Sequence, residues 1–583
     1  YTGHGGAIAF DSNANLCNIT ESTFINNTAR RNGGAINFDQ HADNNTIRNC
    51  TFEDNTVWDD GGAINIDHNS DYCKIMDSTF TNNTATGRNG STSKGGTICL
   101  TGNYTVISNS TFTLCAVYAN TSEGAKLNET DAGAIFITGN HVNVTDCNFT
   151  DCTAPNMAGA MKLIGDYTNI IRCIIENCTV GSENNPGNGT GIVISGHNAT
   201  VTDSRFAYLS AEGYAAAIYI GGENATVNET EFYLCNATHR GGAIYVNGTH
   251  TDIINSNFTN CSSEEAAGAI YIYGDHADIG SSLFLNCFAD TGDDPEPAHG
   301  GAVCIGGNNT IIFNSTFDNC RSIGDYYDAT EHDDRVAKAG ALHVAGNNIE
   351  VINSTFKNNF ATGDGGAMYV DGNFSKVYNT TFTSNIAGDD GGAILWNGHN
   401  GLMYNITCFD NNATSLGNST SNGGSVEIDG ENNTLASSSF SQTHAEVAGG
   451  AVFVSGNYTN IKDSSFVRCN VSHEIENTGK TYKNGGGAIY VLGNNGNVTN
   501  CTFMWCNGRE GAVLFIQGNN TTADIIISDF TYAKNGGAIF VQGENATISN
   551  ANITRANATL AHGGGILVNG SNTKIIDSNF TLC

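Results

Sequence analysis

The sequence is poor in basic residues and in proline, and it contains no long apolar run. Lys and Arg together number 24 against 57 Asp and Glu, which leaves a formal net charge of −33 over 583 residues. A surface this acidic repels nucleic acid and anionic lipid, so neither is expected as a partner. No stretch approaches the roughly 18 apolar residues of a membrane helix, so no direct membrane span is predicted in this segment.

Cysteine is present, but it never forms the Cys-x-x-Cys pair of zinc sites and thioredoxin-like proteins, which argues against both chemistries. The count of 19 is odd, so at least one cysteine cannot form a disulfide within the chain. Most cysteines share repeat positions with Asn, Ser, Thr and Ala, as in a stack of small buried side chains. The alternative, disulfides between neighbouring repeats, stays open for Cys147 with Cys173 and for Cys235 with Cys261.

Glycine is abundant, and much of it falls in a Gly-Gly-Ala-Ile-like tetrad that recurs about twenty times, most often 26 residues apart. Most copies are followed 17 residues later by the Phe of a Ser/Thr-x-Phe-x-x-Asn/Cys motif, as in Gly241 with Phe258. Length varies almost entirely between the Phe motif and the next tetrad, so insertions are expected at one corner of a fixed cross-section. The long insertions are 84–94, 116–131, 179–188, 288–299, 321–338, 412–422 and 470–485.

The tetrad opens a strand, and we number positions, or slots, from its first residue. Slots four and six are aliphatic in nearly every copy, as at Ile244 and Val246, while slot five varies. This alternation places slots two, four and six inside and slots three and five outside. A second strand carries Ile253, a third carries Phe258, and both residues are predicted to be buried.

Such short strands can form a sheet only by stacking repeat on repeat. The sequence therefore predicts an all-β fold: a single right-handed parallel β-helix of about 20 coils, with three short strands per coil. Both ends of the sequence lie inside the repeat register, so residues 1–583 are expected to be one continuous domain and a segment of a longer surface protein.

The paired motifs at Gly33 with Phe52 and at Gly365 with Phe382 resemble the repeats of chlamydial polymorphic membrane proteins. They are still more similar to the Asn/Thr-rich adhesin-like surface proteins of methanogenic archaea, and the resemblance covers essentially the whole chain. It implies an adhesin-like parallel β-helix on the cell surface, of the archaeal type, although fold does not fix function.

We therefore expect an extracellular, structural and adhesive rod that binds a glycan or another cell surface, and not an enzyme. Its partners would be glycans or surface proteins of another cell, or sister rods. One alternative is a structural fibre or coat component assembled by stacking of rods. The other is a polysaccharide-active lyase or hydrolase, which would need outward carboxylates converging beside a basic residue. Glu427 and Asp429 share a coil with nothing basic nearby in the repeat register, and no such convergence is predicted.

No cofactor is expected except calcium, for which the first three coils carry the candidate ligands. These coils share an acid at slot seven, and they carry an acid or Asn four residues further on. Carboxylates stacked at coil spacing repel one another unless they are solvated or share a cation, and oxygen ligands suit calcium. An ordinary solvated turn is the alternative reading. The candidate ligands are Asp11, Asp39, Asp67, Asp43 and Asp71.

Two further sets of residues are candidates for surface functions. Aromatic residues at slot five are predicted to form an outward row suited to stacking on sugar rings or on a sister rod, although sheet packing alone would explain them. About forty Asn-x-Ser/Thr sequons indicate an extracellular glycoprotein. The candidate ligand-binding residues are Tyr219, Tyr245, Tyr271, Tyr369 and Tyr490, and the candidate glycosylation sites are Asn224, Asn308 and Asn457.

Overall fold

A computed structural model describes residues 3–87, 92–119, 130–181, 186–292, 298–324, 337–414, 421–472, 485–559 and 562–583. The chain divides into two compact units, unit 1 (Tyr1–Leu283) and unit 2 (Phe284–Cys583). Within the described residues there are strands and turns but no helix. It follows that this part of the chain contains no helix long and apolar enough to cross a membrane.

Each tetrad leads into a three-residue strand, the first strand of its coil, and these strands stack in parallel. In unit 1 they are Ile8–Phe10, Ile36–Phe38, Ile64–Ile66, Ile98–Leu100, Ile135–Ile137, Met161–Leu163, Ile192–Ile194, Ile218–Ile220, Ile244–Val246 and Ile270–Ile272. In unit 2 they are Val303–Ile305, Leu342–Val344, Met368–Val370, Ile394–Trp396, Val426–Ile428, Val452–Val454, Ile489–Val491, Leu514–Ile516, Ile539–Val541 and Ile566–Val568. The predicted right-handed parallel β-helix is confirmed, and each unit consists of such coils.

One coil of unit 1 shows how the chain turns. After Ile244–Val246 come Asp252–Ile254, Asn257–Thr259 and a two-residue strand, Ser262–Ser263. Residues at the intervening corners have positive φ, as at Asn255 (50°) and Asn260 (53°), a conformation that Asn tolerates better than most residues. The structure thus adds a fourth short strand to the three predicted, because the chain beyond Asn260 pairs again with the coil before it.

In some coils the later strands merge into longer ones, among them Arg205–Ala211, Glu231–Ala237, Asn497–Met504, Thr522–Asn535 and Asn552–Ala558. Coils of unit 2 otherwise follow the same plan. An example is Met368–Val370, Lys376–Tyr378, Thr381–Thr383 and Ile386–Ala387.

The core contains the residues that alternation predicted. Every slot-four residue from Ile36 to Ile539 is buried, and so are Val246, Ile253 and Phe258. The phenylalanines stack on one another from coil to coil, with ring centroids 4.6 Å apart for Phe232 and Phe258. Slots two, four and six of the tetrad strand therefore face the core as expected.

The long insertions leave equivalent corners within each unit. In unit 1 the strands with which three of them begin, Thr84–Gly87, Ala116–Ala119 and Thr179–Val180, belong to one stack of paired fourth strands. In unit 2 the strands Phe288–Asp290 and Arg321–Ile323 pair directly. Each insertion continues into residues outside the described ones.

We predict that few thiols react in the native protein. Of the nineteen cysteines, only Cys17 (half-buried) and Cys583 (exposed) are accessible to solvent. Burial raises the pKa of Cys73 to about 11 and that of Cys501 to about 12, and the thiolate is the reactive form. A thiol-exchange reagent at pH 8 should therefore label at most these two accessible sulfurs until the chain is unfolded. Fewer than nineteen thiols after unfolding without reductant would instead favour disulfides between coils.

Candidate functional site

The predicted tyrosine row exists in unit 1. The rings of Tyr219, Tyr245 and Tyr271 stack with centroids 5.3 Å apart and nearly parallel planes. Tyr219 and Tyr245 are half-buried, and burial raises the pKa of Tyr245 to about 12. Arg240 places its guanidinium 5.2 Å from the Tyr271 ring and donates to its hydroxyl. Because the ring faces cover one another, the row presents edges and hydroxyls, and the expectation of free flat faces is wrong.

Two other tyrosines at slot five lie on the outer face of their coils but are buried. Tyr369 is 5% exposed and Tyr490 is 0% exposed. Lys338 from the neighbouring coil lies 4.8 Å from the Tyr369 ring centroid, and Tyr490 packs in a cluster with Phe515 and its neighbours. The expectation that these two tyrosines form an accessible surface is wrong, because side chains of adjacent coils cover them. Ligand binding by the tyrosine row of unit 1 stays a prediction.

The structure does not bring the five candidate calcium ligands of the first coils together. The slot-seven acids Asp11, Asp39 and Asp67 each accept a hydrogen bond from the next residue's N–H, at 2.7–2.9 Å. Asp43 accepts from the N–H of Asp71 at 2.9 Å, one coil on, and Asp71 in turn accepts from Asn103 N–H at 2.8 Å. These carboxylates accept hydrogen bonds from backbone N–H groups and do not converge on a common point.

Carboxylates do converge in unit 2. Oxygen atoms of Asp364, Asp389 and Asp390 lie within 4.8 Å of one another, the one such group of three metal-capable residues in the described part of the chain. Asp364 Oδ1 accepts from Asp390 N–H at 3.3 Å, and Asp390 Oδ1 accepts from Asn422 N–H at 2.7 Å. The prediction concerned outward strand positions beside a basic residue, and this group lies outside the strands. The group escaped prediction because Asp364 and Asp390 occupy the position just before the tetrad, which we call the edge position, and not a strand slot.

The surroundings of this group make its carboxyls harder to ionise. Burial raises the pKa of Asp364 to about 6. Burial also raises the pKa of Asp390, and neighbouring carboxylates add to the rise. Glu427, at slot five of the next coil, is 4% exposed, and its pKa is raised by burial first and by Asp390 second. The region is thus a concentration of acids that the fold has partly removed from water.

A cleft of about 360 Å³ lies at the corner after the first strand in the same coils. Phe374 is 55% exposed there, in a left-handed conformation with φ 60°. His399 accepts at Nδ1 from Glu431 N–H at 2.8 Å. The cleft thus combines an exposed aromatic ring with a carboxylate, an imidazole and side-chain amides. Its lining residues are Asn373, Phe374, His399, Asn400, Glu431 and Asn432.

The candidate glycosylation sites differ in their surroundings. Asn224 is exposed at a corner with φ 55°. Asn308 Oδ1 accepts from Asn347 N–H at 2.9 Å. Asn457 Nδ2 donates to Glu431 Oε1 at 2.9 Å. The last two side chains thus bond to neighbouring coils, and glycosylation at all three sites stays a prediction.

Four stretches, residues 21–39, 77–101, 353–370 and 379–395, match the Chlamydia polymorphic membrane protein (Chlamydia_PMP) repeat. No curated protein resembles the chain closely enough to count as a match. Among solved structures, a PL6 alginate lyase in complex with a trisaccharide is similar at 12% identity and a TM-score of 0.30, over 70% of this chain and 90% of the lyase. A mutant tailspike protein of E. coli bacteriophage HK620, solved with a pentasaccharide, is similar at 12% identity and a TM-score of 0.23, over 93% of this chain and 72% of the tailspike.

Proposed function

We propose that the chain is part of an extracellular, adhesin-like surface protein that binds a glycan through the cleft around Phe374, and that it is not an enzyme. The observation that carries this proposal is the composition of the cleft. An exposed aromatic ring offers an apolar surface to a sugar ring, while Glu431, His399 and asparagine amides offer hydrogen-bond partners to its hydroxyls. Glycans of another cell are the partners that this chemistry fits best.

Two other features support a role at a cell surface. The repeats resemble those of Chlamydia polymorphic membrane proteins in four stretches, and the many sequons agree with an extracellular glycoprotein. A solenoid that repeats one cross-section also provides a long surface on which to present a binding cleft. The archaeal adhesin-like type is part of this proposal.

We predict that Phe374→Asn weakens glycan binding by roughly tenfold, which corresponds to about 1.4 kcal/mol. Asn occupies the same corner slot in neighbouring coils, as at Asn348 and Asn400, with similar positive φ. The variant should therefore fold normally and lose only the ring. Binding of the labelled protein to glycan arrays, or to cells before and after their glycans are removed, measures the loss.

Tyr104→Asn is the matched control, because Tyr104 lies at the corresponding corner in unit 1 with φ 56° and 44% exposure. It should leave binding unchanged. If Phe374→Asn binds as the native chain does, or if both variants lose binding equally, the cleft is not the glycan site.

Polysaccharide cleavage is the second candidate function, and the convergence of Asp364, Asp389 and Asp390 favours it. Cleavage needs an acid or base that reaches the substrate. Here the three aspartates are half-buried, and Glu427 is almost wholly buried. We therefore assign these residues to another role.

A further inference from the structure

The acids of unit 2 contrast with a pairing that recurs in coils of unit 1. The side chain at the edge position of one coil meets the slot-five side chain of the next coil. Asp131 is bonded in this way to Lys162, at 2.6 Å. Lys94 lies 5.1 Å from the ring centroid of Phe136. The pairing thus joins an acid to a base, or a base to an aromatic face.

At one place in unit 2, the same register brings two acidic side chains to these positions. Asp390 is the edge residue of its coil, and Glu427 is at slot five of the next coil. Glu427 is nearly inaccessible to solvent, and its Oε2 has no hydrogen-bond partner among the described residues. A buried carboxylate oxygen without a partner is unfavourable, and a second carboxylate in the neighbouring coil makes the site less favourable still. A positive charge is missing from this position.

Lys338 is the edge residue next to Asp364, and its charge lowers the pKa of Asp364. Among the described residues, however, no basic side chain forms an ion pair with Asp390 or Glu427. Lys338 lies over the ring of Tyr369, one coil further from Glu427. His343 pairs with Asp371 at 3.2 Å. The neighbours of Asp390 and Glu427 are other carboxylates, those of Asp364, Asp389 and Asp429, and Asp429 also shares a side-chain hydrogen bond with Glu427.

We propose that Asp364, Asp389, Asp390 and Glu427 bind a calcium ion that links three successive coils of unit 2. The ligand set consists of carboxylate oxygens only, which selects a hard cation over zinc or copper. Calcium accepts six to eight oxygens in flexible geometry, so carboxylates from three coils and a few waters would complete its coordination, whereas magnesium demands a near-ideal octahedron. Binding neutralises the buried acids, so the ion should stabilise these coils.

The chain contains a natural control for this site. Asp59 and Asp60 precede Gly61 in the same Asp-Asp-Gly-Gly motif that Asp389 and Asp390 form before Gly391. Asp60 Oδ1 accepts from Lys94 N–H at 2.9 Å, just as Asp390 accepts from Asn422. The next slot five is Cys99, however, and the preceding edge residue is Asn32. This copy of the motif therefore lacks carboxylates at the positions that correspond to Asp364 and Glu427.

Calorimetric titration of the full chain, stripped of metal with a chelator, tests the proposal. Calcium should bind at one high-affinity site that magnesium at the same concentration fills poorly. Glu427→Gln and Asp390→Asn should each weaken calcium binding by at least roughly tenfold to hundredfold, because replacing even a group that only supports the direct ligands of a metal has an effect of that size. Asp60→Asn should leave it unchanged. Both key variants keep the shape and the acceptor oxygen of the native side chain, so the hydrogen bond from Asn422 is preserved.

Hydrogen exchange on the native chain gives a second readout that does not depend on any variant. Calcium should slow exchange in the strands Met368–Val370, Ile394–Trp396 and Val426–Ile428 and leave the tetrad strands of unit 1 unaffected. If no high-affinity binding is found, the proposal is wrong. High-affinity binding that survives both Glu427→Gln and Asp390→Asn, or calcium protection confined to unit 1, would also overturn it.

Discussion

Replacing Phe258 with alanine is expected to lower the free energy of local unfolding by about 3 to 5 kcal/mol, the usual cost of deleting a buried phenylalanine. The ring is fully buried and stacks on Phe232 at 4.6 Å. Its loss removes apolar contact from the coil and leaves a cavity that the backbone cannot close, because parallel strands on both sides fix the spacing of the coils. The loss should be local, since each coil of a solenoid contacts only its neighbours.

Native-state hydrogen exchange of the strands Asn257–Thr259 and Glu231–Ala237 measures this loss directly. Phe258→Ile is the matched control, because Ile175 occupies the same position in another coil of unit 1 and is fully buried there. Phe258→Ile should lower the free energy of local unfolding by less than half as much as Phe258→Ala does. Equal costs for the two variants, or an effect spread evenly over the whole chain, would contradict local stabilisation by a stacked phenylalanine ladder.

Gly242→Ala is expected to cost about 3 kcal/mol, at the upper end of the range for overpacking. A Cβ atom at this slot-two position would lie 2.1 Å from Gly268 O and 2.2 Å from Ser262 O. Both are backbone atoms held by pairing between coils, so neither can move aside cheaply. Exchange of the amides of Ile244–Val246 and Ile270–Ile272 should therefore accelerate strongly.

Ala216→Gly provides the opposite control in the adjacent coil, because alanine is the native residue at the same slot. There the N–H of Ala216 bonds to Gly242 O, whereas the N–H of Gly242 bonds to Ala267 O, one residue earlier in its tetrad. This shift makes room for the extra methyl group. Ala216→Gly should cost only the roughly 0.5 to 1 kcal/mol of added backbone entropy. A loss as large as that of Gly242→Ala would mean that close packing is not the reason for glycine at this slot.

The inward face of the coils could be predicted from the sequence, because alternation alone places Ile244, Val246 and Phe258 in one core. The left-handed corners could also be predicted from Asn and Gly, although the two-residue fourth strand, such as Ser262–Ser263, is too short to leave a pattern. Exposure on the outer face could not be predicted. It depends on which side chain the neighbouring coil contributes, as Lys338 shows over Tyr369.

The convergence of the acids in unit 2 could not be predicted from the sequence either. Asp390 and Glu427 are separated by an insertion, and their approach follows from the stacking register rather than from a local motif. The cleft around Phe374 likewise combines corner residues of three coils. Such sites become visible in a sequence only when the repeats are aligned coil by coil and the edge and corner positions are compared as well as the strands.

The proposed function is tested most directly by asking whether the chain retains a glycan intact. The labelled native protein would be applied to a glycan array, and the glycans it captures would then be incubated with it in solution and weighed by mass spectrometry. We predict that at least one class of glycan is retained, that Phe374→Asn weakens its capture while Tyr104→Asn does not, and that the recovered chains keep their full length. Capture of no glycan at all, or recovery of shortened chains, would contradict a glycan-binding protein that does not cleave its ligand.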